Sequence, residues 1–348
     1  MKADLFDYFL PPGLIAQHPV DPRDSSRLMV VRRREGAIGH HRFRDLPDFL
    51  GPGDLLVLNE TRVIPARLHA RRQPGGGWIE ILLIAETEEK NSWKALLRPV
   101  RRVRTGNRLL LPDTPGWFEL RSKGEYGLCL LEAHFSEPVS VLMAQHGETP
   151  LPPYIKRLQP EEEPEDRERY QTVYARHPGS IAAPTAGLHF TPEVLERLAR
   201  KQVETCCLTL HVGPATFQPL RAGEVEQHLL PPEKVHIPDA AARAIRQARQ
   251  EGRRVIAVGT TTTRALESSA ARHDGEVTAG DAWADLYIHP PYRFRVVDGL
   301  VTNFHLPRSS LLILVCSFGG REFILECYRQ AMQSGYRFYS YGDGMVIL

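Results

Sequence analysis

The chain has 348 residues, of which 42% are hydrophobic and 25% charged, the balance of an ordinary globular protein with room for two domains. Its 44 lysines and arginines against 42 aspartates and glutamates give a formal net charge of +2. That excludes a histone-like polycation but leaves room for a local basic patch. Arginine supplies 37 of the cations and lysine 7. A guanidinium grips phosphate bidentately and stacks on bases, although a GC-rich genome produces the same bias.

The N-terminus has an early acid, Asp4, and no apolar stretch of signal-peptide length, so no secretory signal is expected. No apolar run approaches a membrane span. The five cysteines, Cys129, Cys206, Cys207, Cys316 and Cys327, form no C-x-x-C pair. They read as small buried hydrophobes in a reducing, cytoplasmic setting.

In chain order, residues 64–143 come first as short alternating runs, such as 79–83 and 108–111, broken by Gly and Pro clusters at 74–77 and 112–116. That pattern predicts a small all-β barrel or sandwich. Between 63 and 108 the local charge is +6, a surface suited either to a polyanion or simply to solvent. An acidic loop follows at 161–166. Thr191-Pro192-Glu193 reads as cap, first helical position and first-turn acid of a helix. Residues 203–212 predict a strand, 239–251 a helix, 255–258 a strand ending at Gly259, and 264–271 a helix. Residues 311–318 predict a wholly apolar strand, and 321–334 a last helix. Alternating strands and helices predict an α/β domain with a mixed sheet flanked by helices. The all-β module is then an insertion: 1–63 and 150–348 form the discontinuous α/β domain and 64–149 the barrel-like one.

Six segments place polar groups beside glycine, proline or a strand end, where open sheets bind ligands. They are 58–67, 182–190, 210–217, 258–264, 300–307 and 336–344. Histidines His189, His211 and His305 fall among them, and an imidazole serves as acid, base or donor near neutral pH. Each also suits a purely structural hydrogen bond. The threonine cluster after Gly259 either receives a polar ligand or caps a helix. It lacks G-x-G-x-x-G and the phosphate-loop Gly-Lys-Ser/Thr, which excludes the standard dinucleotide and ATP readings. The aromatics of 336–344 either stack on bases or close the core. No His/Cys/acid spacing suits a metal, and no G-x-S-x-G is present.

Taken in order, 14–17 with 26–28, 59–68, 151–155, 169–174, 182–190, 211–219, 258–267, 302–307 and 336–343 resemble one family, the S-adenosylmethionine:tRNA ribosyltransferase-isomerases of queuosine biosynthesis. The resemblance runs over essentially the whole chain. It implies an α/β domain carrying an inserted β-barrel. It implies transfer of the ribosyl part of S-adenosylmethionine to the aminomethyl group of preQ1 at the tRNA wobble position, with release of adenine and methionine and formation of epoxyqueuosine. S-adenosylmethionine is then a consumed co-substrate, and no metal or other cofactor is expected. The enzyme is expected to be a cytoplasmic monomer without membrane contact.

That chemistry needs a base for the carbon beside the sulfonium, an acid for the departing adenine, and donors for alkoxides. Candidates for proton transfer are His189, His211 and His305, with Glu233 or Glu267 as base or as the group orienting the histidine. Candidates for holding substrate are Asn59, Thr61, Arg62, Thr185, Phe190, Thr216, Phe217 and His228. Thr260, Thr261, Arg264, Asn303, Arg337, Tyr341 and Asp343 complete that set, with Thr261 and Asn303 as oxyanion or ribose donors. Arg98, Arg101, Arg102 and Arg104 are the candidates for the tRNA backbone. One departure stands out: where the family pattern after Glu226-x-His228 reads Met-His-Ser-Glu, this chain reads Leu230-Pro231-Pro232-Glu233. Either the missing histidine is not the essential base, which the intact remaining motifs favour, or the protein is a tRNA-binding paralogue with altered or lost catalysis.

Overall fold

The structure, a computed structural model, describes residues 1–124, 127–157, 164–213, 220 and 223–348. From the N-terminus the chain forms β1 (Arg27–Arg32), β2 (Ala37–Arg42), β3 (Leu55–Asn59) and β4 (Thr61–Val63). The next strands are β5 (Arg67–Gln73), β6 (Trp78–Glu86), β7 (Ser92–Arg98), β8 (Arg108–Leu110), β9 (Gly116–Lys123) and β10 (Leu128–Phe135). Helices α1 (Val139–His146) and α2 (Pro164–Arg169) lead to β11 (His177–Ser180), α3 (Pro192–Arg200), β12 (Glu204–Leu210) and β13 (Glu233–Ile237). Then come α4 (Asp239–Gln250), β14 (Val255–Val258), α5 (Thr260–Arg272), β15 (Gly280–Ala284) and β16 (Gly299–Asn303). The chain closes with α6 (Ser310–Gly319), α7 (Arg321–Gln333) and β17 (Gly344–Ile347).

These elements fall into two compact units: Met1–Arg62 with Pro152–Lys156 and Arg169–Leu348, and Val63–Leu151 with Arg157–Glu168. The first holds a nine-stranded mixed sheet in the order β15-β13-β12-β3-β14-β16-β17-β1-β2. Its centre is parallel, β12 on β3, β3 on β14 and β14 on β16. Every residue of β3, β14 and β16 is buried, as expected for strands covered on both faces. Alternation divides them: Leu55, Val57, Val255 and Ala257 face the core built with α4 to α7, while Leu56, Leu58, Ile256 and Val258 face the one built with α3.

Local signals explain several boundaries. Thr191 accepts the Val194 amide at 3.3 Å, capping α3 as its sequence predicts, with Pro192 at the first position. β14 ends as predicted, and Gly259 follows with φ 97°, a conformation that favours glycine and turns the chain directly into α5. The threonines after it are helical rather than a turn, so α5 starts earlier than the sequence pattern suggests. Thr262 and Thr263 direct their hydroxyls to the Val258 and Gly259 carbonyls at 2.7 and 3.1 Å, which hides them from a simple apolar count.

The segment 311–318, expected as a strand, is helix α6. A short apolar run reads equally as a buried strand or a buried helix, and the cap decides: Ser309 Oγ accepts the Leu312 amide at 3.2 Å. The cysteines also differ from expectation in part. Cys129, Cys316 and Cys327 are buried, but Cys206 and Cys207 on β12 are only half-buried. Burial still pushes their thiols up, to about 12 and about 11.

The second unit holds a closed barrel, β10-β7-β6-β5-β8-β9, with every neighbouring pair antiparallel. Several of its strands alternate. Ile79, Ile81 and Leu83 of β6, Leu68 and Ala70 of β5, and Phe118 and Leu120 of β9 are buried, and the residues between them are not. Among the described residues, no helix is long and apolar enough to cross a membrane.

Candidate active site

The first unit has a cleft at the carboxyl ends of β14 and β16. It encloses about 610 Å³, part of it open to solvent. Five of the six segments singled out in the sequence contribute walls: Ala183 to Ala186, Val212, Gly259 to Thr261, Thr302 to Leu306, and Tyr339 with Ser340. The stretch 58–67 does not. Among the described residues, the lining includes no carboxylate, lysine or arginine. Its polar side chains are hydroxyls, one amide and one imidazole.

The imidazole is His305. Its Nε2 meets Thr302 Oγ1 at 2.7 Å, its backbone N–H donates to Tyr328 Oη at 2.9 Å, and its carbonyl accepts from Tyr8 Oη. Nδ1 has no partner among the described residues. Burial lowers the ring pKa to about 3, so it is neutral at physiological pH and keeps a lone pair. Thr260 and Thr261 stand at the first turn of α5, where unpaired backbone N–H groups and the positive end of the helix dipole collect. Across the cleft, Tyr154 Oη and Ser340 Oγ are 2.7 Å apart and the Tyr154 ring packs on Tyr339 at 4.7 Å. Tyr154 and Ser340 were not among the residues expected in the site, although both lie in family-like stretches. A tyrosine or serine inside an apolar-aromatic run gives no periodic signal of its own.

Asn303 Nδ2 donates to the Tyr339 carbonyl at 3.0 Å and lies 3.3 Å from His189 Nε2. This corrects the donor role expected of Asn303: its N–H groups are already used, and its buried Oδ1, an acceptor, has no partner among the described residues. His189 is not in the cleft lining. It borders a smaller neighbouring hollow, with Arg23, Arg169 and Tyr341. Its ring stacks on Phe43 at 4.8 Å, Nδ1 meets Ser26 Oγ at 2.8 Å, and burial, then Arg337, lowers its pKa to about 3. His211 also lies outside the cleft lining, with Nδ1 on Thr61 Oγ1 at 2.8 Å and its pKa lowered by burial.

Both nominated carboxylates are occupied elsewhere. Glu233 pairs with Arg264 at 2.7 Å and accepts the Gly213 amide, while Arg264 also holds the carbonyls of Leu286 and Pro231. Glu267, fully buried, accepts from Tyr292 Oη and from the backbone N–H groups of Arg295, Val296 and Val297, all at 2.9–3.0 Å. It anchors that loop and does not line the cleft. Pro231 is exposed and outside the cleft lining as well, so the missing family histidine removes no group from the described walls.

The remaining candidates divide in the same way. Thr185 lines the cleft. Phe190 is core, edge-on to Phe43 and Tyr174. Asn59 spends its amide on the Leu210 backbone and the Thr61 amide. Arg62 is exposed, and His228 packs on Tyr287 at 5.5 Å. Arg337 holds the carbonyls of His18 and Tyr341, and Asp343 accepts the amides of Arg27 and Arg337, burial raising its pKa. Thr216 and Phe217 lie outside the described residues. No group of three or more His, Cys, Asp or Glu placed to hold a metal occurs among the described residues.

On the barrel, Arg98, Arg101, Arg102 and Arg104 are all exposed, and none has an ion-pair partner among the described residues. Val103 between them is fully buried and pins the loop to the barrel core. Arg71 lies over the half-exposed Trp78 ring at 4.9 Å.

A mixed α/β sheet with a polar cleft at its strand ends, carried on the same chain as a β-barrel with exposed arginines at 98–104, defines a two-unit enzyme scaffold. The family model described as "Queuosine biosynthesis protein" matches residues 3–347. A Thermus thermophilus protein named S-adenosylmethionine:tRNA ribosyltransferase-isomerase is 54% identical, over 99% of each chain. One of the same name from Moorella thermoacetica is 50% identical over the full length of both. A crystal structure of the Thermotoga maritima S-adenosylmethionine tRNA ribosyltransferase matches with a TM-score of 0.55 at 40% identity, covering 99% of this chain and 100% of that one. The chain belongs to the queuosine-biosynthesis family of S-adenosylmethionine:tRNA ribosyltransferase-isomerases.

Proposed function

We propose that this protein transfers the ribosyl moiety of S-adenosylmethionine to preQ1 at the tRNA wobble position and isomerises it to the epoxycyclopentanediol of epoxyqueuosine. Adenine and methionine leave. The observation that carries the reading is the neutral polar cleft at the strand ends, in a chain about half identical to proteins of that name over its whole length. The sulfonium acidifies the carbon next to it. His305 is the group we assign to take that proton, through the Nδ1 lone pair left open when Nε2 faces Thr302; burial makes the ring a weak base, so the assignment rests on its place as the one imidazole among the described residues of the cleft wall. The hydroxyls of Thr260 and Thr261 and the N–H groups of the α5 first turn are positioned to stabilise alkoxides as the sugar rearranges. The barrel arginines take the tRNA backbone. S-adenosylmethionine is consumed, and the steps ask for neither a metal nor a resident cofactor. A cytoplasmic monomer is sufficient for this work.

Incubation with preQ1-containing tRNA and labelled S-adenosylmethionine tests the reading. It predicts release of adenine and methionine together with epoxyqueuosine in the tRNA. Normal tRNA binding without adenine release would instead select a binding-only paralogue.

A further inference from the structure

We propose that Asn303 Oδ1 is a fixed acceptor for an O–H or N–H donor of the adenosyl group, and that His189 is the residue that positions it. The inference rests on the reading of the cleft as the S-adenosylmethionine site. The Tyr339 carbonyl can only accept, so the Asn303 group 3.0 Å from it is the NH₂. That NH₂ also lies 3.3 Å from His189 Nε2, which must then present a lone pair. The His189 proton therefore sits on Nδ1 and donates to Ser26 Oγ at 2.8 Å. Stacking on Phe43, with rings 26° from parallel, fixes the plane of the imidazole. Both amide hydrogens are thus committed, the amide cannot rotate, and among the described residues Oδ1 is left as a buried acceptor without a partner, on a residue that lines the cleft. A buried unsatisfied acceptor is costly, and a donor on the ligand removes the cost. The adenosyl group brings three such donors, the two ribose hydroxyls and the adenine amine. With both ring nitrogens engaged and the ring outside the cleft lining, His189 acts through Asn303 and carries no proton in the reaction.

The test uses the full chain and S-adenosylhomocysteine, which keeps the adenosyl group but has no sulfonium. Calorimetry on the wild type, Asn303→Ala and Asn303→Asp is repeated with the 2′-deoxy, 3′-deoxy and 6-deamino analogues. Asn303→Ala is expected to weaken S-adenosylhomocysteine roughly tenfold. One analogue should lose the same factor on the wild type and be indifferent to the substitution, and that analogue identifies the donor. Asn303→Asp turns a carboxylate oxygen toward His189 Nε2, so its binding should recover as the pH falls and the ring takes a proton. His189→Gln offers an acceptor to Asn303 and a donor to Ser26, and is expected to keep affinity and kcat within about twofold, whereas His189→Leu should raise KM as Asn303→Ala does. Equal losses on all three analogues would overturn the assignment. So would a His189→Gln variant whose kcat collapses with KM unchanged, since that is the signature of a proton carrier. Failure of the wild type itself to bind S-adenosylhomocysteine would reject the cleft reading on which the inference stands.

Discussion

The cleft and the barrel use polar residues in opposite ways. Around the cleft, His189, Asn303, Thr302, His305 and Tyr328 are buried and tied into a hydrogen-bonded set, so each functional atom has one position. On the barrel, four arginines stand exposed with no ion-pair partner among the described residues. On the proposed function, the first arrangement fixes atoms for bond making, because preorganised groups do not have to reorient in the transition state. On the same proposal, the second offers charge to the tRNA backbone, whose exact position matters less. The difference teaches that burial and residue type together separate the two regions: neutral groups locked in the interior on one side, exposed guanidiniums on the other.

The comparison breaks most visibly at His305. His305→Ala is expected to lower kcat on the order of 10²–10⁴-fold while tRNA affinity stays at the wild-type value. Single-turnover measurements at saturating tRNA check this, and a loss under tenfold would remove His305 as the proton acceptor.

Next in size are the two carboxylates that hold structure. Glu233→Ala leaves the buried Arg264 guanidinium unpaired, and Glu267→Ala orphans three backbone N–H groups and Tyr292 Oη. Each is expected to cost about 3–5 kcal/mol in urea unfolding. Full stability with lost turnover would mean that the carboxylate acts on substrate.

The buried imidazoles sharpen the contrast through pH. His189 and His305 have folded-state pKa values near 3, below the unfolded value of 6.5. Between those limits the unfolded state binds the extra protons, so stability is complete above pH 6.5 and falls as the pH drops toward 3. The slope is about 1.4 kcal/mol per pH unit for each group. Denaturation midpoints at pH 7 and pH 5 should show this loss, and His189→Gln should remove about half of the part due to these two rings. A midpoint insensitive to pH in that window would mean that these rings are not held neutral.

Much of the fold was legible because its signals are local. The cap at Thr191, the strand 255–258 closed by Gly259 and the alternation at 79–83 each specify their element without help from distant residues. The segment 311–318 was misread because an apolar run carries no period, and only the Ser309 cap marks it as a helix. The site was legible as segments and much less so as residues. Sequence shows that 182–190 and 300–307 carry unusual polar groups. It cannot show that Glu267 and Glu233 are consumed by a loop and by Arg264, or that the Asn303 amide points its oxygen away from His189. Those outcomes are set by partners from 25 to 114 positions away. Tyr154 was missed for the same reason, since its partner Ser340 lies 186 residues downstream.

The measurement that tests this division of labour most directly pairs His305→Ala with the double variant Arg101→Ala/Arg102→Ala. For each, kcat at saturating tRNA is set beside tRNA affinity over a range of salt concentrations. The account predicts that the histidine variant loses kcat and keeps the wild-type affinity and salt slope. The arginine variant should keep kcat, bind tRNA more weakly, and show a slope of log affinity against log salt flattened by about two units, one for each lost phosphate contact. An arginine variant with unchanged affinity and slope, or a histidine variant that turns over normally, would contradict it.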